Sequence, residues 1–180
     1  MSRQYFADLL ADPPLANLAA VVATVETTLW PTQQYTPIPA FDGRPGKIYR
    51  VTAGGIMSFA ATGTLIITPR FGLTVAAGIS LGASVVALTT PGIITANPWY
   101  LQFDCIIRSV GAPGSATSTA FGAGFFCTGI PAAGSLPATQ TFGGTQATVD
   151  TSIATGITIG WTLSVAGTIT PGFAHIQSLN

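Results

Sequence analysis

The chain has 180 residues, 48% of them apolar, with 21 Gly, 13 Pro and six basic against six acidic side chains, so its formal net charge is zero. Only 7% of its residues are charged, against roughly a quarter in ordinary soluble domains. That argues against a nucleic-acid partner, which needs a run of cations to neutralise phosphates, and against a membrane surface. It also leaves a lone subunit short of the charge that keeps proteins in solution, so much of the outer surface is expected to be covered by other chains.

Residues 1–25 differ from the rest and read as an N-terminal arm. Tyr5, Phe6, Leu9, Leu10, Leu15, Leu18, Val21 and Val22 make it too apolar for a solvated tail and too short to bury itself. The part over 5–11 fits one or two helical turns, stopped by Pro13-Pro14. Asp8, Asp12 and the two prolines interrupt any secretory apolar run. No window of ~20 residues is free of Gly, Pro and polar groups, so a membrane-spanning helix is not expected and synthesis in the cytoplasm without export is. The arm is expected to dock on its own domain or on a neighbouring subunit.

Residues 26–180 carry the domain. Pro31, Pro37 and Pro39 exclude a helix and a central strand, so 35–40 should run extended along a sheet edge. A turn follows over 42–46, Asp-Gly-Arg-Pro-Gly. Strand patterns then recur over 47–53, which ends at Gly54-Gly55, and over 56–60, 64–71, 73–76 and 84–89. The clearest covers 99–110. Trp99, Leu101, Phe103, Cys105 and Ile107 fall on one face, and Tyr100, Gln102, Asp104, Ile106 and Arg108 on the other. After a loop at 111–115 a strand resumes over 119–127, with Phe121, Phe125 and Cys127 on one side. The stretch 129–144 reads as a long surface loop. Ile157, Ile159, Trp161, Leu163 and Val165 alternate with Thr158, Gly160, Thr162 and Ser164, and 168–170 and 174–179 complete the set. About eight strands and no convincing long helix predict an all-β, jelly-roll-like β-sandwich with an extended N-terminal arm.

The residues offer little chemistry. Two thiols and one histidine, His175, fall short of a four-ligand metal centre. Cys105 and Cys127 read as small buried apolar side chains, reduced in a cytoplasmic protein. His175 has no serine in a nucleophile elbow to serve. The six acids, Asp8, Asp12, Glu26, Asp42, Asp104 and Asp150, form no cluster. Asp104 is expected to pair with a base on an adjacent strand, and Asp42 and Asp150 to serve turns. Gly122-Ala123-Gly124 lies in a strand pattern and is no dinucleotide fingerprint. Trp99 and Trp161 are in phase with apolar neighbours and belong to the core, leaving Trp30 as the one tryptophan expected at an exposed or interface position. No catalytic, metal-binding or cofactor-binding residue is expected.

Four stretches carry a resemblance: RPGKIYRVTAGG over 44–55, TGTLIITPRFG over 62–72, PWYLQFDCIIRSVG over 98–111, and the segment from Thr148 to the end. Together they resemble a group of small tailed-bacteriophage virion structural proteins with a jelly-roll or β-sandwich body. The resemblance covers roughly residues 25–180. It implies a structural, non-enzymatic role in the virion. The first expectation is a capsid decoration, or cement, protein that binds the assembled head shell as a homotrimer, with the major capsid protein as partner and the outer capsid surface as location. The arm residues named above would then fasten it to the shell. The alternative is a tail or head-fibre component, with or without a carbohydrate-binding surface.

Overall fold

Alternating β-branched, aromatic and small residues give strands, and every regular element among the described residues is one. The computed structural model describes residues 7–11, 25–28, 38–61, 63–82, 84–88, 93–131 and 137–179. Its strands are β1 (Ala7–Ala11), β2 (Thr27–Thr28), β3 (Ile48–Phe59), β4 (Gly63–Phe71), β5 (Ile79–Ser80), β6 (Ser84–Leu88), β7 (Ile94–Ser109), β8 (Ser118–Pro131), β9 (Pro137–Val149), β10 (Ile157–Leu163) and β11 (Gly167–Leu179).

They form two antiparallel sheets. The larger runs β1-β11-β3-β7-β8-β9; the smaller runs β2-β10-β4, with β5 and β6 sharing the far side of β4. The pairs are nested: β1 with β11, β2 with β10, β3 with β7, and β4 with β5 and β6. That nesting is the jelly-roll order. The β8–β9 hairpin is an addition that widens the larger sheet beyond β7. The expected all-β sandwich is therefore present.

The inner faces meet in one core. Trp161 of β10 packs edge-on against Trp99 of β7 at 5.1 Å and against Phe126 of β8 at 5.9 Å, and Phe103 stacks on Phe142 at 5.6 Å. The β7 face that alternation assigned to the interior is buried throughout: Trp99, Leu101, Phe103, Cys105 and Ile107. Trp99 also donates its indole N–H to the Ile56 carbonyl at 3.1 Å. Burying rings of this size contributes ~1.5–3 kcal/mol each before ordering costs.

Several elements differ from the sequence reading. Of the expected helical turns over 5–11, the described residues 7–11 form β1 instead, which lies along β11 with Ala7 opposite Leu179. An open sheet edge offers this segment a ladder of backbone hydrogen bonds that a single helical turn cannot match. Of the other arm residues, Tyr5, Phe6, Leu15, Leu18, Val21 and Val22 lie outside the described residues, as do Trp30 and 35–37. Ile38 forms a bridge with Thr155 and is buried. Gly54-Gly55 does not end a strand, because β3 runs through it. A Cβ on Gly55 would come 2.1 Å from the Thr170 carbonyl oxygen, so the glycine is what lets bulged β11 approach. Residues 73–76 form a turn, closed by Thr74, whose carbonyl and hydroxyl accept from Gly78 and Ala77. The expected loop over 129–144 is strand in its described residues, the end of β8 and most of β9, and 132–136 lie outside the described residues. Its Gly and Pro content suggested a loop, but the flank of β8 supplies a partner, and Gly143 and Gly144, at φ 87° and 92°, absorb the ladder's irregularity.

On β10 the face expected to be polar is also covered, with Thr158 and Gly160 buried. Glu26, just before β2, lies over Gly160 and accepts two hydrogen bonds from Arg70 of β4, at 2.8 and 2.6 Å.

The cysteines fall on opposite faces of the larger sheet. Cys105 lies opposite Gly122 in the register, while Cys127 lies opposite Tyr100. Along β8 the two positions are thus roughly 17 Å apart, far beyond disulfide reach. Cys105 is buried as expected, but Cys127 is only half-buried, on the outer face.

Two outcomes follow from this geometry. Gly55→Ala should destabilise the protein by ~2–3 kcal/mol, because the new methyl has only β11 backbone to displace; a urea titration measures it. Thiol labelling of the native protein should modify Cys127 alone. Cys105, whose pKa burial pushes up to about 12, should react only after unfolding.

Candidate functional site: two apolar surfaces

The first surface is the end of the sandwich where β3 begins and β4 and β7 end. The loop before β3 is anchored from below. Buried Tyr49 donates its hydroxyl to Asp42 at 2.9 Å, and Lys47 lies 3.7 Å from the same carboxylate. Desolvation, then the hydrogen bond to Asp42, raises the Tyr49 pKa, so the phenol remains a donor. Next to Asp42, Phe41 sits at φ 63° with its N–H donating to the Thr151 carbonyl at 2.9 Å. A left-handed conformation costs a bulky residue ~1–2 kcal/mol, yet its ring is not buried in return: Phe41 is 66% exposed. Ile153 (56%), Val110 (47%), Ile79 and Leu73 are exposed at the same end. A hollow of about 250 Å³ lies between Leu73, Ile79, Ile153 and the Asp150 loop. Asp150 accepts from the Ser152 hydroxyl and N–H, and these bonds hold its carboxyl below the usual range. Ala7, the start of β1, lies at this end too, opposite Leu179, which pairs with Ile48.

The second surface is the outer face of the larger sheet. The register sets its side chains in rows across the strands. One row reads Phe173, Gly54, Tyr100, Cys127, Thr139; the next reads His175, Thr52, Gln102, Phe125, Thr141. In the following row Arg50 grips Asp104 through two hydrogen bonds, 2.7 and 2.6 Å long. Gly54 decides the shape. A Cβ there would lie 2.7 Å from the Phe173 ring, so that ring covers the bare backbone and reaches Tyr100, at 6.5 Å between centroids. Tyr100 lies 6.0 Å from Phe125, and Phe173 stacks on His175 at 6.1 Å. The result is a strip of four rings beside hydrogen-bonding groups, with further apolar rows at Ile56–Pro98 and Ile48–Ile106–Phe121 on the same face. A hollow of about 230 Å³, lined by Pro98, Trp99, Tyr100, Cys127, Thr128 and Gly129, adjoins it.

The residues singled out in the sequence fall as follows. Leu9 and Leu10 are in β1. Asp104 has the expected base on an adjacent strand, and Asp42 and Asp150 serve loops as expected. His175 is half-buried in β11. Among the described residues no three His, Cys, Asp or Glu side chains gather as a metal site. Phe41, Ile153, Phe173 and the Tyr100–Phe125 pair were not singled out as a surface. The signal available for Phe41 was an aromatic beside an Asp-Gly turn, where nothing can bury it. The ring strip joins four strands, so only the register reveals it. No family model, curated protein or solved structure matches the chain.

Proposed function

We propose that this chain is a bacteriophage virion structural protein, a capsid decoration protein that binds the assembled head shell and stabilises it. The reading is structural rather than catalytic. Its partners are its own copies, as a homotrimer, and the major capsid protein; its place is the outer surface of a virion assembled in the host cytoplasm. The observation that carries it is the loop end, where Phe41, Val110 and Ile153 stand in solvent at 47% exposure or more on a chain with only twelve charged side chains. Exposed apolar groups gathered at one end mark a contact surface. Ala7, the start of β1, is at the same end, and the arm residues Tyr5 and Phe6 before it are the ones this reading assigns to attachment. The mechanism is mass action: a protein that binds only the closed shell stabilises it by about 2.7 kcal/mol per site when present at a hundred times its Kd.

A tail or head-fibre role is the second reading. The ring strip favours it, because such proteins meet a host surface.

The shell reading is tested with purified particles lacking this protein. Phe41→Asn removes the ring while keeping a residue type that tolerates positive φ. The double variant Phe41→Asn, Ile153→Asn should melt no lower than the wild type and bind shells at least tenfold more weakly. Unchanged coating would reject the loop end as the attachment surface. Deleting residues 2–6 spares β1 and should weaken coating without unfolding the body. Native mass measurement should give three copies per particle at micromolar concentration; a stable monomer there contradicts the trimer.

A further inference from the structure

We infer that the ring strip on the outer face of the larger sheet is a binding site for an uncharged oligosaccharide. The inference stands on that face alone and holds whether the body sits on a head or a tail.

The strip pairs two kinds of chemistry. Phe173 and Tyr100 are 40% and 36% exposed, and Phe125 lies half-buried beside them. Part of each ring meets solvent. One row away stand Thr52, Gln102 and Thr141, all short or planar hydrogen-bonding groups, and then the Arg50–Asp104 pair. A hexopyranose has the same division: axial C–H groups on a flat apolar face and hydroxyls around its rim. The C–H face matches the rings, and the hydroxyls match the row beside them. Tyr100 already turns its hydroxyl toward the Gln102 side-chain oxygen, at 3.4 Å. That long contact is easily exchanged for a sugar hydroxyl.

Charge selects the class of sugar. Arg50 and Asp104 neutralise one another in a bidentate pair, 36% and 37% exposed, and no other Lys, Arg, Asp or Glu lies in the three rows described. These three rows therefore offer no net charge to a sulfated or carboxylated chain, Arg108 on the same face lying two rows beyond the ion pair over Phe121, and each partner of the ion pair can still accept or donate to a neutral hydroxyl.

Size argues against a second copy of this chain as the occupant. The exposed parts of the three rings, with Ile56 and Pro98 in the row beside them, amount to on the order of 400 Å², whereas a stable protein interface covers about 800 Å² on each partner. A short saccharide needs no more than the strip and the adjoining hollow beside Tyr100. Ring spacings of 6.0 and 6.5 Å from Tyr100 to its two neighbours are of the size of one pyranose unit.

The test uses the whole protein with cellopentaose and with chitopentaose, by titration calorimetry and by chemical-shift mapping at millimolar sugar. Binding of at least one, with shifts at Tyr100, Phe125 and Phe173, is expected. Tyr100→Ala and Gln102→Ala should each weaken it at least fivefold while leaving melting and shell coating unchanged. No binding of either sugar overturns the inference. So does binding that both variants retain in full. If Tyr100→Ala instead dissociates an oligomer in sedimentation, the strip is a subunit contact and the sugar site is rejected. Shell coating is read separately, so failure here is distinguishable from failure of the decoration reading.

Discussion

The register of β7 between β3 and β8 is the constraint on which the rest depends. It places Trp99, Leu101, Phe103, Cys105 and Ile107 inside and Tyr100, Gln102 and Asp104 outside. Slipping by one residue would exchange the two sets. The indole that meets Trp161 at 5.1 Å would enter water, and the Asp104 carboxylate would enter the core. An ion buried without its partner costs several kcal/mol. The core and the outer ion pair thus select the same register, and the ring strip inherits its geometry from that choice.

Where alternation was strict, the sequence was readable. The two faces of β7 and the inward run of Ile157, Ile159, Trp161 and Leu163 in β10 follow directly from it. So does the partner of Asp104, because an acid on the outer face of a central strand has only its neighbours' side chains in reach. Glycine was where the reading failed. Gly54-Gly55 and Gly143-Gly144 looked like punctuation, yet they sit within strands, at a close approach and at an irregular register. Their meaning depends on a partner strand distant in sequence. β1 was illegible for the same reason: five residues become a strand only because β11 leaves an edge open. Both surfaces described above are assembled from four or more segments, and no local window contains either.

The few charges do unusual work. Glu26 and Arg70 are 44 residues apart, and Arg50 and Asp104 are 54 apart. Asp42 holds the loop before β3 to Tyr49 and Lys47. Charges used as clamps between distant segments contribute less to solvation than free ones, which sharpens the shortage implied by composition. A surface poor in free charge repels its own copies only weakly.

The nested pairing also governs how the protein is made. β1 can join the larger sheet only against β11, whose residues 176–179 face it across almost the whole chain. Likewise β2 waits for β10. During synthesis the early segments therefore leave the ribosome with their partners not yet translated. The sandwich can close only once β10 and β11 have been made, which must bring together long-separated strands, and such topologies fold slowly. In the interval β3 lacks β11 on one edge and the apolar face of the larger sheet lacks β10, the condition under which β-rich chains aggregate. Yield in recombinant expression should accordingly respond more to temperature and chaperone supply during synthesis than to the stability of the finished fold.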